Sequence, residues 1–327
     1  MSEVLHRSGR VVWDNHACAP LRPGDTEFLP TLERYRAAGF TAVMLNIGFA
    51  ENPAAQHFAM LETFRDWLSA RPQHYALIST VEDVRRAAAD GRLAVGFDIE
   101  GMALLEGQLQ LMAQLYAQGV RWMSITYNKN NAIGGGCQDE DGGLTAFGRA
   151  VIAEAKRVGM VVCCSHTGHR TCRDVMEVTE NPIIFSHSNA SAIHRHPRNI
   201  GDDLIVACAR TGGVVGINGI GIFLGDNDNR VETLVRHLDH MVQLVGPAHV
   251  AIALDYVFDA SELDDYVAEN PALFPPSQGY GAGVGMVAPE ALPELCDALV
   301  RLGYSDDDLQ QILGGSLLRV AEQVWRA

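Results

Sequence analysis

The chain repeats one pattern of apolar and polar positions: an amphipathic helical stretch, a glycine, and then a short run of apolar residues. The glycines of this pattern are Gly39, Gly91, Gly119, Gly159, Gly212 and Gly246. Each lies where the end of a helix needs a residue in the left-handed conformation. Continuous apolar runs are typical of strands that are covered on both faces, as in a parallel sheet. The repeating unit is therefore predicted to be a strand followed by a helix.

The number of predicted strands favours a closed barrel. Apolar runs at Arg10–Trp13 and Pro182–Phe185 bring the count to eight, and His74–Ser79 is a short additional strand outside this set. A (β/α)8 barrel typically needs about 250 residues, and the chain has 327. An open doubly wound sheet is the alternative, but there is no GxGxxG or Walker A pattern to support nucleotide binding. We predict a (β/α)8 TIM barrel.

The C-terminal third adds a long loop and closing helices. Residues from about 256 to 288 are rich in proline and glycine and lack periodicity, which predicts a loop that acts as a lid or a dimer contact. Helical patterns return at Pro289–Leu302, Ser305–Gln311 and Leu317–Trp325, where the last has apolar residues spaced to pack on the barrel. We predict one barrel domain over residues 1–327 that these helices close.

Composition limits the class of protein and its partners. The chain is 47% hydrophobic, and 25 Lys and Arg against 40 Asp and Glu give a net charge of −15. Nucleic acid and anionic membranes would therefore be repelled. No stretch approaches the roughly 20 apolar residues of a membrane span, and the N-terminal residues lack a signal-peptide pattern. We expect a cytoplasmic protein, and the seven cysteines, with Cys163 and Cys164 adjacent in a predicted strand, favour reduced thiols.

Two predicted strands end in the same way. The apolar runs Met160–Cys164 and Pro182–Phe185 are each followed by Ser-His and a small polar residue, and the segment between them has the length of a crossover helix. The carboxyl ends of parallel strands share the rim where α/β folds place their chemistry. His166 and His187 are therefore predicted to point into one site.

Other predicted strands end in residues of the same chemical kind. The first is followed by His16 and Cys18, which are two residues apart and so lie on the same side of an extended segment. Glu100 follows Leu93–Ile99, and Asp255 ends the run AIALD. Imidazole, carboxylate and thiolate groups suit Zn²⁺ or a similar ion, and a carboxylate can bridge two ions. The sequence predicts one or two Zn²⁺ at this rim.

Structural alternatives stand beside these predictions. A single histidine at a strand end is more often a hydrogen-bonded structural residue, and Cys18 alone can be a small buried hydrophobe. His194 and His196 follow a helical turn and are predicted to face solvent. Cys137, in the glycine-rich segment 132–143, is predicted to lie in a flexible surface loop rather than to bind metal. Three other histidines are predicted to lie on polar helix surfaces with no functional part: His57, His237 and His240.

From about residue 11 to its C-terminus, the chain resembles the membrane dipeptidase (renal dipeptidase) family of binuclear zinc peptidases, which have amidohydrolase-like barrels. The resemblance is carried by the passages GVRWMSITYNKNN, GGLTAFGRAVIAEAKRVGMVVCCSH, NPIIFSHSNAS, HPRNIGDDLI, GGVVGIN, HVAIALDYVFD and ILGGSLLRV. It implies a metal-dependent hydrolase barrel that forms a homodimer. It also implies that His16 and Cys18 bind one metal, that Glu100 is shared by both metals, and that His166 and His187 hold the second.

The resemblance further implies how a substrate is held. Arg198 matches an arginine that binds the substrate carboxylate, which a planar guanidinium can do by two parallel hydrogen bonds. Without the resemblance, pairing of Arg198 with Asp202 or Asp203 is an equal alternative. Asp255 matches the acidic residue beside the scissile bond and the substrate amine. Tyr127 occupies the place of a family histidine that contacts the carbonyl oxygen of the substrate.

Two positions depart from the family pattern. The family usually has HxD at the first strand, whereas this chain has Cys18 as the third residue. A thiolate keeps the negative charge but binds Zn²⁺ at about 2.3 Å and favours softer metals. Tyr127 can still donate a hydrogen bond, but its side chain differs in length from that of histidine and has a pKa of about 10. These departures bear on the number of metals and on the choice of substrate.

The expected function is the metal-dependent hydrolysis of dipeptides or dipeptide-like amides by a metal-bound hydroxide, with Glu100 and Asp255 as the catalytic residues. Asp255 is expected to take a proton from the hydroxide and return it to the leaving amine. Two alternatives stay open. One is a mono-metal hydrolase or lyase acting on another small carboxylated amide, such as an N-acyl amino acid. The other is a non-catalytic relative that binds a small molecule.

Overall fold

The computed structural model describes residues 9–50 and 52–326, and eight parallel strands in it close into a barrel. The barrel order is β1, β2, β4, β5, β6, β7, β8 and β9, and pairing of Asp14 in β1 with Ile252 in β9 closes it. The additional strand β3 pairs with β4 outside this circle, and β10 pairs with the end of β1. The prediction of a (β/α)8 barrel with a ninth short strand outside it is confirmed. The strands are Trp13–Cys18 (β1), Ala42–Phe49 (β2), Tyr75–Leu77 (β3), Leu93–Glu100 (β4), Val120–Ser124 (β5), Val161–Cys163 (β6), Ile184–Phe185 (β7), Val214–Ile217 (β8), Val250–Ile252 (β9) and Tyr256–Val257 (β10).

Helices surround the barrel and close its amino end. They are Leu32–Ala38 (α1), Ala54–Ser69 (α2), Val81–Asp90 (α3), Leu111–Ala117 (α4), Ala146–Val158 (α5), His169–Val178 (α6), Asp202–Arg210 (α7), Gly221–Leu224 (α8), Val231–Val245 (α9), Ala260–Glu269 (α10), Leu292–Arg301 (α11), Asp306–Gln310 (α12) and Ser316–Val324 (α13). A π-helical turn at Gln311–Gly315 joins α12 to α13, and short 3₁₀ turns lie at Leu29–Thr31, Ala103–Leu105, Pro247–His249, Pro276–Gln278 and Pro289–Ala291. All six glycines of the repeated pattern have a positive φ, as predicted.

The inward side chains of β4 are small and apolar near the amino end of the barrel and carboxylates near its carboxyl end. Its inward positions run from Ala94 and Gly96 at the amino end to Asp98 and Glu100 at the carboxyl end, because side chains two apart share a face. The amino half of the interior is a buried apolar cluster in which Trp13, Trp122 and Met44 meet residues of α13. The polar half is therefore restricted to the carboxyl rim, as the strand-end pattern predicts.

Two segments differ from the sequence prediction. The first strand spans Trp13–Cys18 rather than Arg10–Trp13, because its polar residues are buried inside the barrel and continue the pairing with β2. The segment 256–288 is not a continuous loop, since it contains β10 and α10. The Asp259 carboxylate caps α10 by accepting from the backbone N–H groups of Ser261 and Glu262. That helix is polar except for a narrow apolar stripe, which explains why periodicity did not reveal it.

The described C-terminal helices lie as predicted. α12 begins after Ser305, whose hydroxyl caps it in a capping box with Asp308, and α13 packs its apolar face onto the amino end of the barrel. A single domain over residues 1–327 stays a prediction. None of the helices within residues 9–50 and 52–326 is both long enough and apolar enough to cross a membrane.

Candidate metal centre

The predicted ligands from separate strands converge at the carboxyl rim. Two groups of side chains have their ligand atoms within 4.8 Å of one another: His16 with Cys18 and Asp255, and His16 with Glu100 and His187. His166 joins them, because its Nε2 atom lies 2.9 Å from His187 Nε2. The structure thus brings all five predicted ligands, and Asp255 with them, into one cluster, while their role as ligands stays a prediction.

Glu100 lies between the two halves of this cluster. Its Oε1 atom is 2.9 Å from His166 Nε2 and 3.1 Å from His187 Nε2, whereas its Oε2 atom is 3.5 Å from His16 Nε2. The two oxygens of one carboxylate therefore face different sets of imidazoles. This is the arrangement in which a carboxylate can serve two cations at once.

Buried partners fix the orientation of each imidazole through its Nδ1 atom. Asp98 holds His16 at 3.2 Å, the Asn128 side-chain oxygen holds His166 at 2.7 Å, and the Ser186 hydroxyl holds His187 at 2.8 Å. Such outer partners set the tautomer of a metal-binding histidine. Sequence reasoning missed these three partners. The inward alternation of β4 could have identified Asp98, because it lies two residues before Glu100.

Charge at the centre fits a cation. Burial raises the pKa of Glu100, but the charge on His16 and hydrogen bonds from the rings of His16 and His166 outweigh burial and hold that pKa well below 4.5, so the carboxylate is ionised. Burial lowers the pKa of His166 and of His187, which leaves both rings neutral. Burial also lowers the pKa of His16, yet Asp98 and other anionic neighbours raise it well above 6.5, so this position favours a positive charge. The neutral imidazoles of His166 and His187 and the ionised carboxylate of Glu100 are donors that suit Zn²⁺, and the anionic neighbours of His16 favour a cation beside it.

Cys18 and Asp255 form the outer part of the cluster. The Cys18 Sγ atom lies 3.4 Å from His16 Nε2 and 3.8 Å from Asp255 Oδ1. Burial raises the pKa of the Cys18 thiol to about 12. Asn218 donates to the second oxygen of Asp255 at 2.9 Å, so Asp255 Oδ1 is directed toward His16, 3.4 Å away. The left-handed backbone of Asp255, with φ of 57°, is a strained conformation of the kind that clusters at functional sites.

A cavity of about 300 Å³ opens above these residues, and Arg198 and Tyr127 line it. The Arg198 side chain is only 3% exposed, and its Nε atom has no hydrogen-bond partner among the residues that the structure describes. Asp202 and Asp203 bind other side chains, so the alternative pairing of Arg198 with them is wrong. Tyr127 stacks on His166 with ring centroids 4.3 Å apart.

Four predictions about other residues are wrong, one of them only in part. His196 is half-buried rather than turned to solvent, because its Nε2 atom is 2.9 Å from the Gln278 carbonyl oxygen and its ring contacts Phe223. His57 and His237 are buried rather than on polar surfaces. The segment 132–143 is a surface loop only in part, since Gly134, Gly135 and Gly136 are buried whereas Asp139, Glu140 and Gly142 are exposed. Cys137 donates to the Asn128 side-chain oxygen at 3.5 Å and is not among the clustered ligands.

The fold and the ligand-rich rim define an amidohydrolase-like (β/α)8 barrel. The chain belongs to the membrane dipeptidase family (peptidase family M19), whose profile matches residues 22–270. It is 29% identical over 242 residues to an uncharacterized dipeptidase of Schizosaccharomyces pombe. That alignment covers 71% of this chain and 53% of the relative, so the chain spans about half the length of that protein.

Solved structures share the whole fold. An amidohydrolase from Pseudomonas aeruginosa superposes with a TM-score of 0.87 at 22% identity, covering 99% of both chains. A metallo peptidase from Rhodobacter sphaeroides, liganded with a phosphinate mimic of the dipeptide L-Ala-D-Ala, superposes with a TM-score of 0.79 at 20% identity, covering 96% of this chain and 99% of the other. At these identities the likeness shows the fold alone.

Proposed function

We propose that this chain hydrolyses dipeptides or dipeptide-like amides and uses one or two Zn²⁺ ions to do so. The family supports a metallopeptidase, and the dipeptide mimic in the R. sphaeroides protein supports a substrate of this size. The observation that carries the proposal is the position of Glu100, whose two carboxylate oxygens face the His166–His187 pair and His16 respectively. A purely structural carboxylate would not need three imidazole nitrogens from three other strands.

When bound, divalent ions at His16, Cys18, Glu100, His166 and His187 would polarise an amide carbonyl and lower the pKa of water. The remaining work belongs to side chains around the cavity. Arg198 is buried with an unpartnered Nε atom and suits the terminal carboxylate of a small substrate. Burial raises the pKa of Tyr127 well above 10, so its hydroxyl stays a neutral donor for the substrate carbonyl oxygen. Asp255, with one oxygen held by Asn218, can accept a proton and return it to the leaving amine.

Metal content and turnover together test the proposal. Inductively coupled plasma mass spectrometry, before and after incubation with Zn²⁺, should give about two ions per chain for a two-metal site. The loaded protein should hydrolyse members of a dipeptide panel, and both chelation and Glu100→Gln should abolish that turnover. The proposal is wrong if the loaded protein hydrolyses no member of the panel with Zn²⁺, Mn²⁺ or Co²⁺.

The same measurements separate the alternatives. About one ion per chain, with turnover of N-acyl amino acids instead of dipeptides, would favour a mono-metal hydrolase. Tight binding of a dipeptide without turnover would favour a non-catalytic relative. A cytoplasmic location and a homodimer remain part of the proposal, and light scattering during size-exclusion chromatography tests the second.

A further inference from the structure

Four aromatic rings form a continuous wall along one side of the cavity, and we name them the aromatic arc: Phe223, Tyr280, Phe274 and Tyr127. All four line the cavity. The ring centroids of Phe223 and Tyr280 are 6.0 Å apart, those of Tyr280 and Phe274 are 5.3 Å apart, and those of Phe274 and Tyr127 are 6.4 Å apart. The arc is therefore one connected surface rather than a set of scattered rings.

The two ends of the aromatic arc lie at functionally different places. At one end, the Arg198 guanidinium carbon lies 5.3 Å from the centroid of the Phe223 ring. At the other end, Tyr127 stacks on His166. The arc thus begins beside Arg198, whose Nη2 atom is also 3.5 Å from the His187 carbonyl oxygen, and ends beside His166.

Packing behind the arc holds it in place. Phe223, Phe274 and Tyr280 are 6%, 7% and 8% exposed, and they form a buried cluster with Ile222 of α8 and Val267 of α10. His196 joins this cluster by contacting the rings of Phe223 and Tyr280. Since these rings have little room to turn away, the arc presents a fixed apolar wall to any bound molecule.

Polar and acidic side chains also line the cavity. Asn52, Gln56, Asp259 and Glu262 line it together with the aromatic residues. Asp259 and Glu262 are acidic residues at the start of α10, and Glu262 pairs with Arg22 at 2.5 Å. The cavity therefore has aromatic rings beside Arg198 and acidic groups at the start of α10, and Leu21, Phe49 and Leu263 add further apolar lining.

We propose that the aromatic arc selects substrates whose carboxylate-bearing residue has a large apolar side chain. This inference rests on the proposed dipeptidase function. In a dipeptide, one residue separates the terminal carboxylate from the scissile amide. With the carboxylate on Arg198 and the amide at Glu100 and His166, the side chain of that residue is held in the cavity that the arc lines, beside Phe223. A large apolar side chain there covers the rings of the arc and excludes water from them, whereas glycine leaves the rings in contact with water.

Paired dipeptides with the same composition and opposite order test the inference. Using Zn²⁺-loaded protein, we would measure kcat/KM for Gly-Phe, Phe-Gly and Gly-Gly, with both enantiomers of phenylalanine. The better Gly-Phe enantiomer should exceed Phe-Gly and Gly-Gly by about tenfold or more, the range for side-chain discrimination in an apolar pocket. Equal values for Gly-Phe and Phe-Gly would overturn the inference and leave the dipeptidase function standing. Hydrolysis of none of these substrates, nor of any other dipeptide, would overturn both.

Variants of Phe274 test whether the aromatic arc causes the preference for Gly-Phe over Gly-Gly. Phe274→Ala should reduce the ratio of Gly-Phe to Gly-Gly turnover by about tenfold. Phe274→Leu keeps an apolar bulk and should give an intermediate ratio, and its melting temperature shows whether the fold is kept. Phe147→Ala, a half-buried phenylalanine on α5 away from the cavity, is the matched control and should leave the ratio unchanged. An unchanged ratio in a folded Phe274 variant would contradict the proposal.

Discussion

Asp98 lies beneath His16, and both of its carboxylate oxygens are 3.2 Å from the imidazole Nδ1 atom. The two side chains are fully buried. Asp98 also accepts a hydrogen bond from Asn46 at 3.1 Å, so its own position is fixed. A carboxylate in this place directs the Nε2 lone pair of His16 into the centre and makes that nitrogen a better electron donor.

Asp98→Asn should weaken metal binding. The amide keeps the size of the side chain but removes its negative charge, and loss of such an outer partner typically lowers metal affinity about 10-fold to 100-fold. Competition with a chromophoric chelator measures this affinity directly. Asp239→Asn, at an acid that instead binds Tyr304, is the control. Equal affinities for the wild type and Asp98→Asn would show that Asp98 does not support a metal ligand.

Cys18 should decide which metals the centre prefers. If its sulfur is a ligand, Co²⁺-loaded protein will show a sulfur-to-metal charge-transfer absorption that disappears in Cys18→Asp. That variant has the residue usual in the family and should shift preference from Cd²⁺ toward Mn²⁺, because carboxylates suit harder ions. Metal content after incubation with an equimolar mixture gives the preference. An unchanged spectrum and preference would remove Cys18 from the ligand set and make Tyr127 the important departure.

Arg198→Gln should weaken binding of substrates with a free carboxylate. A hydrogen bond to a charged group contributes about 1.5–3 kcal/mol, so kcat/KM should fall about 10-fold to 100-fold, mainly through KM. The C-terminal amide of the same dipeptide supplies the control substrate. The wild type should prefer the free acid, and the variant should lose this preference. If the variant keeps it, the carboxylate is bound elsewhere.

Buried His237 should make the protein less stable in acid. Burial lowers the pKa of His237 from 6.5 to about 4, so between these values the unfolded chain binds a proton that the folded chain does not. Stability is therefore fully present above pH 6.5 and falls as the pH drops toward 4, by about 3 kcal/mol at 1.36 kcal/mol per pKa unit. Urea unfolding at several pH values measures this loss. His237→Gln should show a smaller loss over the same interval, and equal losses would assign the acid sensitivity to other groups.

The barrel could be predicted because its signals are local. Each glycine such as Gly39 or Gly159 ends a helix through its own backbone conformation, and each apolar run is a strand covered on both faces. The strand ends His166, His187 and Glu100 were predictable for the same reason, since the rim of a parallel barrel is defined by chain direction alone.

Residues whose environment depends on tertiary contacts were not predictable. His57 lies in a polar-looking helix, yet a Cβ atom at Gly48 would come within 2.3 Å of its Nε2 atom, so β2 and α2 pack closely there. His196 is covered by Gln278 and Tyr280, which are about 80 residues later in the chain. The helix α10 was missed because it is polar except for a narrow apolar stripe, which packs against residues far from it in the first part of the chain and after it.

The inward face of β4 contributes Ala94 to the apolar amino end of the barrel and Asp98 and Glu100 to the candidate metal centre, and Gly96 lies between them. A Cβ atom at Gly96 would come within 2.7 Å of the Met44 sulfur. This inward face therefore has no space for a side chain at position 96. Insertion or deletion of one residue within Leu93–Glu100 would turn Phe97 and Ile99 inward and move both carboxylates into the helical layer. The barrel therefore tolerates a change in the length of this strand far less well than a change in the length of a surface loop.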